Sequence, residues 1–160
     1  MMQAVLTSIQ PVHCANIAAG KKSLEIRKNM PKLPAPFKCY IYCTQLLDEF
    51  SAPTWPYICY EKKGGPIVGD DLKEYDVFEA GYIIGEFTCD WIVCDPVGML
   101  EDLFCRWGCL ALSDLRRYKG KKPLYGWHIS NLKIYDAALS LEDFGKERPP
   151  QSWCYVEEPA

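Results

Sequence analysis

The feature that most constrains the fold is one long alternating segment, GYIIGEFTCDWIVCD, at residues 81–95. Apolar residues at positions 83, 87, 89, 91 and 93 recur at every second residue, apart from one interruption, which is the period of a strand with one buried face. The interruption is Gly85, which indicates a bulge or a close approach by another backbone. The segment is therefore the longest strand signal in the chain.

Most of the other regular segments also have the period of a strand. Strands are predicted, in chain order, for AVLTSI, SLEIRK, FKCYIYCT, YGWHISNLKIYD and PPQSWCYVEE. Helices are predicted for PVHCANIAA, MLEDLFCRWGCLAL, LSDLRRYKG (with Ser113 as N-cap and Gly120 as terminator) and the short SLEDFG. Five or six strands with few helices indicate one α+β domain over residues 1–160, built as a small mixed β-barrel with short flanking helices. Residues at about 45–80 do not keep the hydrophobic period of a strand or a helix. They are predicted to form an insertion that is partly helical near its ends.

The segment FKCYIYCT, at residues 37–44, is predicted to lie inside the sheet. Its odd-numbered residues Cys39, Ile41 and Cys43 face one side, while Tyr40 and Tyr42 face the other. Because both faces are largely apolar, a central position is expected.

Charge is distributed unevenly along the chain. The net charge is −3, but residues 1–38 carry +5 and the remainder carries −8. This balance argues against binding of nucleic acid by bulk electrostatics and leaves one basic patch on an acidic body. A second basic run, RRYKGKK at residues 116–122, either joins that patch in space or solvates a helix end.

Nine cysteines are present, without a Cys-x-x-Cys pair or finger-like Cys/His spacing. This pattern predicts reduced, buried thiols and neither a metal nor a cofactor, with Cys105 and Cys109 at helical spacing as a redox alternative. The sequence shows neither a membrane-spanning stretch nor a signal peptide pattern, so a cytoplasmic protein that does not insert into membranes is expected.

The charged stretch GKKSLEIRK, at residues 20–28, is the main candidate site. Gly20 ends the first helix, and the following strand places Glu25 and Arg27 on one face about 7 Å apart, with Lys22 in the turn before them. Arginine offers a planar fork for phosphate, lysine a point charge, and glutamate a general base or a brace for both cations. The alternative is an ordinary ion pair on a solvated strand, worth less than about 1 kcal/mol.

Aromatic and hydroxyl residues supply further candidates for ligand contacts. His128 has a pKa suited to proton transfer, and aromatic rings can stack a nucleobase. The aromatic candidates are Tyr40, Tyr42, Tyr125, Trp127 and Trp153. For His128 packing within the strand is favoured over a role in proton transfer, and at least half of these rings are expected to lie in the core. Ser8 and Ser152 are candidates for the mouth of the barrel, and His13 is expected at the surface or behind the site.

The same stretch resembles the motif Gly-x-Lys-x-x-Glu-x-Arg of the ASCH domain family, with Gly20, Lys22, Glu25 and Arg27 at the four fixed positions. The order of segments around it, from SIQP to RPPQSWCYV, is similar to bacterial and phage members. The resemblance implies a PUA-like β-barrel and a role with RNA, nucleotides or nucleosides. Some members are amidohydrolases that act on acetylated cytidine, and others have been described as ribonucleases.

In the amidohydrolases the motif lysine acts with a threonine three residues later. Glu25 occupies that position here, so the amidohydrolase activity is not carried over. The resemblance makes Lys22 and Glu25 the candidate catalytic residues. The candidate ligand-binding residues are Gly20, Lys22, Arg27, Tyr42, Trp127 and His128.

Three functions follow from these observations. The first is an RNA- or nucleotide-binding domain with a basic, aromatic-lined cleft. The second is a hydrolase or ribonuclease in which Lys22 and Glu25 perform acid–base work. The third is a protein-interaction or regulatory domain that contacts its partners through its acidic surface.

Overall fold

A computed structural model of the chain describes residues 2–45, 57–61 and 75–160. Within them lie eight strands, three α-helices and one 3-10 helix. The strands are β1 Gln3–Ile9, β2 Leu24–Arg27, β3 Phe37–Cys43, β4 Tyr57–Glu61, β5 Tyr75–Glu79, β6 Ile83–Asp95, β7 Leu124–Leu139 and β8 Trp153–Glu157. The helices are α1 Pro11–Ala18, α2 Glu101–Gly108 and α3 Leu112–Lys119, and the 3-10 helix is Glu142–Phe144.

Six of the strands form one mixed sheet in the order β2-β7-β6-β3-β1-β8. Strands β1 and β3 pair in parallel, and the other neighbours pair antiparallel. The α+β class is therefore confirmed. The predicted barrel is not confirmed, because the described residues show no ladder that joins the two ends of the sheet, β2 and β8.

Side chains nevertheless connect the two ends of this sheet. Arg27, at the end of β2, donates hydrogen bonds to the Ser152 hydroxyl (3.2 Å), just before β8, and to the Ser8 carbonyl (2.7 Å) in β1. The rings of Trp127 and Trp153 meet edge to face, 5.8 Å apart. The sheet therefore curls enough for its ends to share polar and aromatic contacts.

The long strand β6 bends where its sequence contains glycine. A Cβ atom on Gly85 would lie 2.4 Å from the Lys133 carbonyl oxygen, and the register with β7 shifts between Ile83 and Gly85. The close approach predicted from the sequence is confirmed. The predicted alternation is wrong at this point, because the shift places Ile84, and not Ile83, in the same core cluster as Phe87.

The main core lies on one face of the sheet, and β3 runs through its middle as predicted. Strand β3 pairs with β1 on one side and β6 on the other. Its residues Cys39, Ile41 and Cys43 belong to the main core, whereas Tyr40 and Tyr42 pack in a second cluster on the opposite face. The two-sided apolar pattern thus confirms a central strand.

Two helices cover the β2 end of the sheet, with bounds that differ from the prediction. Helix α2 ends at Gly108 because Cys109 has left-handed backbone angles (φ 53°), so the single helix predicted through Leu112 is wrong. The N-cap of α3 is Ala111 rather than Ser113, while Gly120 ends it as predicted. Both helices pack against Leu24 and Ile26 through a third apolar cluster.

The segment predicted as an insertion is described in part. Strands β4 and β5 pair antiparallel, and Tyr60 and Phe78 join the main core. Near its C-terminal end the segment is therefore a strand and not the predicted helix. The remainder, 46–56 and 62–74, lies outside the described residues. None of the described helices has the length and apolar character that a membrane crossing requires.

Candidate functional site

The turn after α1 places Lys22 at the start of the site. Gly20 has a positive φ of 74°, and the Lys21 and Lys22 amides both donate to the Asn16 carbonyl. Glycine adopts this backbone conformation without a Cβ clash, so the chain can reverse there. The Lys22 ammonium then points inward and donates to the Gly108 carbonyl oxygen at 2.8 Å.

Strand β2 presents Glu25 and Arg27 beside that ammonium. Arg27 Nε lies 3.1 Å from Glu25 Oε1, and Lys22 Nζ lies 3.7 Å from Glu25 Oε2. Only 3% of Lys22, 6% of Glu25 and 8% of Arg27 is exposed. The interpretation of the motif as a solvated ion pair is therefore wrong, and the three residues form a buried triad.

Arg27 is held mainly by the ends of the sheet. Its two Nη atoms donate to Ser8 and Ser152, whereas Nε makes no hydrogen bond although it lies within ion-pair distance of Glu25. The Ser8 hydroxyl donates to the Pro150 carbonyl oxygen at 2.6 Å. Both candidate hydroxyls are thus engaged in tying β1, β2 and the start of β8 together.

The triad lines a cavity of about 810 Å³, here called the motif cavity. Its wall is formed by β2, the end of β1, the start of α1, helix α3 and the segment that joins α2 to α3. The polar and charged residues in its wall are Ser8, Gln10, His13, Lys22, Glu25, Arg27, Thr44, Asp114, Arg117, Tyr118 and Gln151. A cavity of this size accommodates a ligand of nucleotide dimensions.

The second basic run of the sequence reaches the same cavity. Arg117 and Tyr118 of α3 line it, and the Lys28 ammonium lies 4.6 Å from the centre of the Tyr118 ring. Burial raises the pKa of Tyr118, so its hydroxyl remains protonated at neutral pH. Of the two sequence alternatives for RRYKGKK, joining the first basic patch is the one observed.

Two further polar atoms of residues that line the motif cavity lack a hydrogen bond. Glu25 Oε2 and His13 Nδ1 are buried and make no hydrogen bond. Burial and then the positive charge of Lys22 lower the pKa of His13 below its ordinary value of 6.5, so the imidazole is neutral at pH 7. The sequence placed His13 at the surface or behind the site; its position on the first turn of α1, beside the motif, was the signal available.

Several candidate ligand residues lie away from the motif cavity. Tyr42 packs in the second apolar cluster, and Trp127 is fully buried in the main core. His128 pairs with Leu24 across the β2–β7 ladder, and directly paired residues share a face, so it lies on the face opposite Glu25. Gly20 forms the turn after α1 and does not line the motif cavity.

Another cavity, of about 600 Å³, lies along β8 at the other end of the sheet. Its charged lining is mostly acidic, with Asp143, Glu157 and Glu158 against Lys146. That balance disfavours a phosphate ligand. In the described part of the chain, no three His, Cys, Asp or Glu side chains come together as metal ligands.

The arrangement of elements matches solved structures of ASCH proteins. The structure superimposes on ASCH from Zymomonas mobilis with a TM-score of 0.67 and 19% identity, over 97% of this chain and 88% of that one. The chain has the ASCH fold. A serine-to-alanine variant and a tyrosine-to-phenylalanine variant of the same Zymomonas protein each give a TM-score of 0.66 and 20% identity, over 97% of this chain and 89% and 91% of theirs.

The ASCH fold is therefore shared along nearly the whole chain, as the sequence resemblance implied. No protein-family model and no curated protein matches the sequence. Because the identity to the solved structures is low, the likeness establishes the ASCH fold alone. The functions of the motif residues must be argued from their own geometry.

Proposed function

We propose that the chain is an RNA- or nucleotide-binding ASCH domain whose ligand occupies the motif cavity. The observation that carries this proposal is that both basic segments of an acidic protein converge on one cavity. Lys22 and Arg27 come from the first segment and Arg117 from the second. A local excess of positive charge attracts phosphate although the net charge of the protein is negative. The resemblance to the ASCH family supports the same class of ligand.

The contacts of each cation suggest different tasks. Lys22 donates one N–H to Gly108, which leaves donors for a ligand phosphate beside Glu25. Both Nη atoms of Arg27 already donate to Ser152 and Ser8, so Arg27 supplies positive charge and holds β1 and the start of β8 in place. The side chain of Arg117 is 79% exposed and is the group that reaches a ligand at the mouth.

Arg117→Ala tests this proposal with little risk to folding. Its pair with Asp114 (3.5 Å) is exposed, and such surface pairs contribute about 0–1 kcal/mol to stability. The matched control is Arg106→Ala, since Arg106 is similarly exposed and pairs with Asp102 at 3.2 Å on α2 but does not line the cavity. Affinity for a fluorescent single-stranded RNA oligonucleotide is measured by anisotropy at several salt concentrations.

We expect Arg117→Ala to weaken binding and to reduce the slope of log affinity against log salt by about 0.7, the value for one lost phosphate contact on a single strand. Arg106→Ala should leave both quantities unchanged. Equal behaviour of the two variants, or no binding by the parent protein, contradicts the proposal. The protein-interaction alternative then becomes the better hypothesis.

A second candidate function, hydrolysis of RNA or of a modified nucleoside, is favoured by the two buried atoms that make no hydrogen bond, Glu25 Oε2 and His13 Nδ1. A buried carboxylate oxygen and a neutral imidazole beside an ammonium are groups that can accept or donate a proton. In this proposal Glu25 is the base and Lys22 stabilises developing negative charge. Glu25→Gln should then abolish turnover of an RNA substrate and retain most of its binding, whereas a pure binding domain shows no turnover in either form.

A further inference from the structure

Three aromatic rings form a partly exposed cluster outside the motif cavity. Trp91 and His128 stack with ring centres 4.4 Å apart and planes inclined by 7°. Trp107 lies 6.1 Å from Trp91 and 6.2 Å from His128. Each tryptophan is 37% exposed, which is unusual for so large an apolar surface. These three residues are here called the aromatic cluster.

A hydrogen bond fixes the orientation of this cluster. His128 Nδ1 lies 2.6 Å from Asp90 Oδ1, so the carboxylate holds the imidazole flat against Trp91. On the other side, the backbone carbonyl of Trp107 accepts from the Ser23 amide at 2.9 Å, which ties the end of α2 to β2. The rings are therefore presented by two strands and a helix end.

The aromatic cluster and the motif cavity share one short segment of chain. Trp107 belongs to the cluster, Cys109 lines the cavity, and Gly108 between them accepts the Lys22 ammonium. The Cα atoms of residues two apart are separated by at most about 7.6 Å. The rings lie on the face of the sheet opposite Glu25, so a ligand strand that leaves the cavity must cross this segment, at the β2 edge, to reach them.

We propose that the aromatic cluster is a second subsite, at which Trp91 or Trp107 stacks a nucleobase of a single-stranded RNA whose phosphate occupies the motif cavity. The inference rests on the proposed RNA-binding function. Aromatic rings accept any base because every base has a π-face, and each stacked base adds to the affinity. The subsite accordingly adds affinity for a strand and not for a single nucleotide.

The test compares two ligands, a ten-nucleotide single-stranded RNA and a nucleoside monophosphate. Trp91→Ala and Trp107→Ala are measured separately, with Tyr82→Ala as the control, since Tyr82 is similarly exposed (38%) and lies outside both sites. We expect about a tenfold loss of affinity for the RNA in at least one tryptophan variant, which corresponds to about 1.4 kcal/mol. The affinity for the monophosphate and all affinities of Tyr82→Ala should stay within about twofold of the parent.

A second measurement leaves the protein unchanged and so avoids any failure to fold. The parent protein is titrated with a series of the same RNA in which one position at a time is abasic, and one or two positions should lose affinity by a similar factor. If the parent binds no RNA, the proposed function fails together with the subsite. If the parent binds RNA but neither the tryptophan variants nor the abasic series changes the affinity, the subsite alone is overturned. Equal losses for the RNA and the monophosphate overturn it as well, because the effect then lies in the cavity.

Discussion

Replacing Arg27 tests whether the buried triad holds the two ends of the sheet together. Arg27→Met retains much of the side-chain length and removes the charge. It eliminates the hydrogen bonds to Ser8 and Ser152 and the ion pair with Glu25. Glu25 then remains buried with Lys22 at 3.7 Å as its ion-pair partner.

The expected loss of stability is large because the variant removes a buried ion pair and two hydrogen bonds at once, although Lys22 still pairs with Glu25. Breaking a buried pair by removal of one partner costs about 3–5 kcal/mol. The side chains of Glu25 and Arg27 are only 8% and 9% exposed, so solvent screening reduces this little. For a domain of this length, 1 kcal/mol shifts the melting temperature by about 2–4 °C, so a shift of about 6–20 °C is expected.

The assay is urea unfolding followed by tryptophan fluorescence, with Arg106→Met as the control for loss of an exposed pair. The control should change the free energy of unfolding by less than about 1 kcal/mol. A double-mutant cycle with Glu25→Gln adds the coupling between the two side chains, expected to exceed about 1 kcal/mol for contacting residues. If Arg27→Met lowers the free energy of unfolding no more than the control does, the triad does not hold the two ends of the sheet together. That result would refute the expectation.

Three further predictions follow from burial and packing. The pKa of His13 is lower in the folded state than in the unfolded chain, so the unfolded chain binds the proton first as the pH drops. The free energy of unfolding should therefore fall as the pH drops through 6.5. His13→Gln should flatten this decline in urea unfolding measured between pH 7.5 and 5.5. Gly85→Ala should destabilise by about 1–3 kcal/mol or more, since its Cβ would meet a backbone carbonyl at 2.4 Å, and equal melting temperatures for variant and parent would contradict this. Burial raises the pKa of Cys89 to about 12 and the pKa values of Cys14 and Cys39 well above their ordinary values. These three thiols should therefore not react with a colorimetric thiol reagent until the protein unfolds. The exposed Cys59 and Cys94 should react in the native protein.

Elements with a regular apolar alternation or a clear proline or glycine signal could be predicted from the sequence. The alternation in β3, the proline at the start of α1 and the glycines after α1 and α3 each determine local geometry, and all are found in the structure. The alternation in β6 fails at Gly85, because a bulge changes which residue faces the core without changing the sequence pattern. The end of α2 was missed because a non-glycine residue, Cys109, adopts the left-handed conformation.

From the sequence, the candidate site could be predicted only within strand β2 and the turn that precedes it. The alternation of β2 places Glu25 and Arg27 on one face, and the Gly20 turn explains why Lys22 joins them. Their burial depends on α2 and on the β1 and β8 ends, which are distant in sequence. The same holds for Arg117 and Tyr118, whose approach depends on how α3 packs. The chemistry of His128 suits a site residue, but its register opposite Leu24 places it on the other face of the sheet from Glu25.

The most direct test of the account is an amide and indole NMR titration of the parent protein with single-stranded RNA. We predict the largest shift changes at residues 20–27 and 109–118, together with the indole signals of Trp91 and Trp107. Residues lining the acidic cavity along β8, such as Glu157 and Glu158, should be unaffected. Shift changes confined to that cavity, or none at saturating RNA, would contradict the assignment of the motif cavity as the binding site.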